Sequence, residues 1–65
     1  MKKPYTQLIL EEARDRMYSS RNYQLTRAEQ LKDLPSARQY RKDYAAGIDH
    51  AISILTEYIK ELEQE

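Results

Sequence analysis

Residues 43–55 read DYAAGIDHAISIL, and they predict the centre of a long amphipathic helix. Apolar side chains recur there, and beyond, at alternating spacings of four and three residues, which is typical of the seam of a coiled coil. The series consists of Tyr44, Ile48, Ala51, Leu55, Tyr58 and Leu62. We therefore predict a helix over about residues 37–62 that packs along its length against other helices.

The apolar surface of this helix is wider than one neighbour can cover. At about 100° per residue the apolar side chains span an arc of about 180°, whereas packing on one surface needs little more than 100°. Ala45, Ile52 and Ile59 lie on one flank, and Leu55 and Tyr58 lie on the other. We expect an N-terminal helix to cover one flank. The other flank is left for a second copy of the chain or for a different protein.

The N-terminal part of the chain predicts a shorter helix, over about residues 5–18. Pro4 suits the first turn of a helix. An apolar stripe at helical spacing follows, formed by Ile9, Leu10, Ala13 and Met17.

The next segment, SSRNYQLT at residues 19–26, consists largely of indifferent helix formers and predicts a break. Thr26 and Glu29 have the spacing of a capping box, which would begin a short helix over about 27–33. The alternative is one continuous helix to about residue 33. Leu34-Pro35 ends this segment, because the residue before a proline is pushed out of the helical region. A second capping box, Ser36 to Gln39, would begin the last helix.

A chain of 65 residues forms one domain, residues 1–65, and has little core of its own. Domains this small usually depend on disulfides, metals or oligomerisation, and the chain has no cysteine. We therefore expect an all-α helical hairpin that dimerises into a four-helix-like bundle. The absence of cysteine fits the cytoplasm. The longest aliphatic run, Leu8–Leu10, is too short for a signal or membrane segment, so we expect no membrane association.

Gly47 and His50 are the only residues of their types in the chain. A glycine inside a helix lowers the stability of the helix by about 1 kcal/mol relative to alanine. Gly47 therefore marks either a close helix crossing or a glycine that the helix tolerates with a mild bend. His50 shares a polar face with Asp43 and Glu57, but residues seven apart lie about 10 Å apart along a helix and cannot share one ion. The predicted self-association surface comprises Tyr44, Gly47, Ile48, Ala51, Ile54, Leu55, Tyr58 and Leu62.

The sequence contains no arrangement of residues that supports catalysis. One glycine cannot form a phosphate-binding loop, and none of the four serines lies in a nucleophile elbow. We therefore expect no enzyme activity, no catalytic residue, no cofactor and no metal.

Charge is unevenly distributed although the net charge is zero. Residues 1–42 carry +5 and residues 43–65 carry −5. Arginine and tyrosine alternate in the basic middle of the chain, and both types are enriched in binding hot spots. The partner-binding candidates are Arg21, Tyr23, Arg27, Arg38, Tyr40 and Arg41. A protein partner is favoured over nucleic acid, because acidic residues dilute the basic patch.

These features predict a small, non-enzymatic, cytoplasmic protein-interaction module. In size and architecture it looks like the small accessory proteins of bacteriophages and other mobile elements, which frequently inhibit or modulate a host or defence protein. That resemblance is one of type and rests on no motif. Two alternatives stay open: a nucleic-acid-binding regulator that uses the Arg/Tyr-rich middle, and a structural or assembly subunit.

Overall fold

The computed structural model describes residues 4–64, which form two antiparallel helices and no strand. Helix α1 spans Tyr5–Gln30 and helix α2 spans Pro35–Glu63. Residues 31–34 join them. The expected all-α helical hairpin is confirmed. It is elongated, with extents of 51 × 15 × 11 Å.

The predicted break at residues 19–26, with its separate short helix at 27–33, is wrong: α1 runs without interruption to Gln30. Indifferent helix formers cost only a few tenths of a kcal/mol each, and contacts to another helix easily outweigh that. Arg21 and Gln24, both inside this segment, bond to side chains of α2. Thr26 therefore lies within α1 and does not begin a new helix.

The second predicted capping box does not start α2. The helix begins two residues earlier than expected, at Pro35, with Leu34 as its N-cap residue and no side-chain cap hydrogen bond. Proline is well suited to the first helical position, because it lacks the N–H that would be unbonded there. Leu34 is extended, as expected before a proline, and its carbonyl oxygen accepts a hydrogen bond from the Arg38 N–H at 2.9 Å.

The buried apolar residues of the hairpin form a narrow row on α2 with a single residue of α1 against it, within residues 4–64. Ala45, Ile52 and Ile59, spaced seven residues apart, are buried against α1. On α1 the buried residues are Gln7, Gln24 and Ala28, so two of the three are polar. Of the apolar stripe expected on α1, Ile9 is 45% exposed, whereas Leu10, Ala13 and Met17 are half-buried.

Polar side chains connect the two helices along their length. These contacts run from Gln7 Nε2 to Glu63 Oε1 (3.1 Å), from Arg21 Nη1 to Asp49 Oδ1 (2.9 Å) and from Arg41 Nη1 to Gln24 Oε1 (2.8 Å). Gln7 and Gln24 are buried, and a buried polar group must be hydrogen-bonded to avoid a large desolvation cost. Their bonds therefore favour one alignment of α1 on α2 over a shifted one.

Neither helix, within residues 4–64, is both long enough and apolar enough to cross a membrane.

Candidate interaction surface

An apolar groove runs along one side of the hairpin, between the two helices. Its sections, with cavity volumes of about 530 and 430 Å³, both include Met17 and Ala51, so they are continuous. We define the apolar groove by the apolar and small residues that line it. They are Thr6, Leu10 and Met17 from α1, and Tyr44, Gly47, Ile48, Ala51, Ile54, Leu55 and Tyr58 from α2.

Large apolar side chains in the groove are open to solvent. The exposed fraction is 58% for Ile54, 57% for Tyr58 and 49% for Tyr44. Single exposed apolar residues are ordinary, whereas here several of them lie next to one another along the same groove. The α2 flank opposite Ala45 and Ile52 is the one left uncovered by α1.

The predicted self-association residues are brought together by this geometry. Seven of the eight line the apolar groove, and the eighth, Leu62, is half-buried near the end of α2. That these residues bind a second copy stays a prediction.

Gly47 is not required by the hairpin itself. A Cβ built at this position would meet no atom of the described residues within 4 Å. Its backbone φ is not positive, so the helix does not need a glycine there. Gly47 lines the groove, and the space in front of it is open to another chain.

The partner-binding candidates do not form one free basic patch. The Arg21 guanidinium bonds Asp49 and lies over the Tyr18 ring, 4.9 Å from its centroid. Arg41 bonds the buried Gln24. Both side chains are thus used within the hairpin, and they contribute to its alignment.

The remaining candidates are dispersed. Arg27 bonds Gln30 on its own helix at 2.6 Å, and Arg38 has a buried Nε atom without a hydrogen-bond partner. Tyr23 is exposed on α1. The ring of Tyr40 contacts that of Tyr44, with centroids 6.3 Å apart, which extends the groove toward the turn.

The polar stripe around His50 is exposed, and Asp43 in it accepts a hydrogen bond from Gln39 at 2.8 Å. Within residues 4–64 no group of three or more metal-ligating side chains lies close enough to hold a metal ion.

Sequence reasoning missed the contribution of α1 to the groove. Leu10 and Met17 line the groove. They are seven residues apart, and this spacing is the signal in the sequence that places both side chains on the same face of α1. Another hollow, smaller in volume, lies along α1 and is lined by Tyr5, Ile9 and Ala13 together with the ion pair of Glu12 and Arg16.

The described residues thus form a two-helix hairpin with an open apolar groove along one side. Comparison with known protein families, curated protein sequences and solved structures gave no match.

Proposed function

We propose that this chain is a non-enzymatic protein-interaction module that works as a dimer of helical hairpins, packed through the apolar groove. The observation that carries the proposal is the groove itself, with Tyr44, Ile54 and Tyr58 each about half exposed or more. Covering these side chains removes apolar surface from water, at a gain of about 25 cal/mol for each Å².

The size and shape of the hairpin support a second chain. Its accessible surface is 5257 Å², whereas a compact folded chain of this mass exposes about 4,400 Å². The excess, roughly 900 Å², is close to the ~800 Å² that each partner loses in an interface of standard size. The radius of gyration is 15.1 Å, against about 11 Å for a compact domain of this length.

The way in which two of the arginines are used weighs against the nucleic-acid alternative. Nucleic-acid binding draws on free cationic groups that neutralise phosphates. Arg21 and Arg41 already bond side chains of the opposite helix. A small module of this kind acts by covering a surface of the protein it binds, which is the mode of an inhibitor or modulator.

A matched pair of lysine variants tests the proposal. Ile54→Lys places a charge in the groove, whereas Ser53→Lys places the same charge on the neighbouring exposed residue, which does not line the groove. We expect the midpoint temperature of thermal unfolding to rise with protein concentration for the native chain and for Ser53→Lys. The reason is that association stabilises the folded state by mass action. Ile54→Lys should remove that dependence. A concentration-independent midpoint for the native chain would contradict the proposal.

A further inference from the structure

We infer that the apolar groove binds a second copy of this chain in the antiparallel direction, with the two α2 helices crossing at Ala51. The inference rests on the proposed function and adds the direction of the second copy and the residue at which the helices cross. In this interface the turn end of each hairpin, where residues 31–34 join the helices, lies against the open end of the other, where Pro4 and Gln64 lie.

Charge complementarity favours this direction. The turn end, residues 21–42, carries six Lys/Arg and two Asp/Glu, a net charge of +4. The rest of the described chain, residues 4–20 and 43–64, carries three Lys/Arg and eight Asp/Glu, a net charge of −5. A parallel dimer would place like charges together at both ends, which is unfavourable. An antiparallel dimer pairs each basic end with an acidic one.

The sizes of the groove residues on α2 are compatible with the same direction. No described atom lies within 4 Å of the position that a Cβ would take at Gly47. An antiparallel pair centred on Ala51 places Leu55 of one helix opposite Gly47 of the other, since both lie four residues from Ala51. The Leu55 side chain then fills that space.

Ala51 is the midpoint of the groove residues on α2, which run from Tyr44 to Tyr58. A twofold axis at Ala51 places Tyr44 opposite Tyr58 of the partner. Helices approach most closely where the side chains at the crossing are small, as Ala51 is.

Disulfide cross-linking tests the direction in a chain that has no cysteine of its own. Three single variants are needed: Ala51→Cys, Tyr44→Cys and Tyr58→Cys. Two cysteines form a disulfide only where their Cα atoms are within about 7 Å. The tyrosines are about half exposed in the hairpin, so their replacement leaves its core intact.

After mild oxidation, Ala51→Cys should give a covalent dimer on a non-reducing gel. Tyr44→Cys and Tyr58→Cys should each remain uncross-linked alone, and a mixture of the two should give the mixed disulfide. Efficient self-cross-linking of Tyr44→Cys would overturn the antiparallel direction and leave the proposed function standing. A native chain that sediments as a monomer would overturn both, and a sedimenting dimer without the Ala51→Cys cross-link would overturn the assigned crossing.

Discussion

Arg21 reaches across the hairpin to Asp49, with its Nη1 atom 2.9 Å from Oδ1 of the carboxylate. The Arg21 side chain is 26% exposed and that of Asp49 is 53% exposed, so water screens the pair. An ion pair of this kind contributes more to the alignment of two helices than to their stability, because a shifted alignment would separate its members.

Replacing Asp49 with asparagine should therefore have a small effect. We expect a loss of about 0.5 kcal/mol in the free energy of unfolding, measured by urea denaturation at a fixed protein concentration, and a smaller loss at high salt. A loss of more than about 2 kcal/mol would show that the pair behaves as a buried one.

Truncating the core row should be far more damaging. Ile52 is 5% exposed and packs against α1. We expect Ile52→Ala to cost about 2–4 kcal/mol, from lost apolar burial and the cavity left behind. Ile9→Ala is the matched control, because Ile9 is 45% exposed, and it should cost less than about 1 kcal/mol. Equal losses for the two variants in urea denaturation would contradict the assigned core.

The alternating four- and three-residue spacing of the apolar series from Tyr44 to Leu62 made α2 predictable, because such a series is typical of a helical interface. The buried side of α1 was not predictable in this way. Gln7 is only 3% exposed, yet a glutamine next to apolar residues gives no signal of burial. Its bond to Glu63, 56 residues away in sequence, shows only in the folded chain.

The continuity of α1 was likewise decided by tertiary contacts. Residues 19–26 are indifferent helix formers, and local sequence alone favoured a break. Arg21 and Gln24 bond α2 and keep the segment helical. The α2 side of the groove could be predicted from the sequence, because the apolar arc of this helix is wider than one neighbour can cover. The α1 side could not, because it depends on how the two helices are aligned.

Substitutions at Gly47 should affect the stability of the hairpin and its association in different ways. Gly47→Ala should stabilise the helix of the dissociated hairpin by up to about 1 kcal/mol, since a Cβ meets nothing there. Gly47→Leu should raise the dissociation constant of the dimer by about tenfold or more, because the extra atoms occupy the space needed by the partner. Sedimentation velocity across a dilution series measures this. The control Ala46→Leu, exposed and outside the groove, should leave the dissociation constant unchanged.

Salt should weaken association of the native chain, because an antiparallel dimer brings each basic turn end against an acidic end and salt screens that attraction. Sedimentation velocity at low and high sodium chloride concentration measures the dissociation constant. A dissociation constant that does not change with salt would contradict the charge argument for the antiparallel direction.

The most direct test of the central claim is the mass of the native chain by sedimentation equilibrium at micromolar concentration. The chain has a mass of 7.8 kDa. The account predicts a species of twice that mass that dissociates on dilution and on substitution of Ile54 by lysine. A single species at the mass of one chain throughout the concentration range would contradict it.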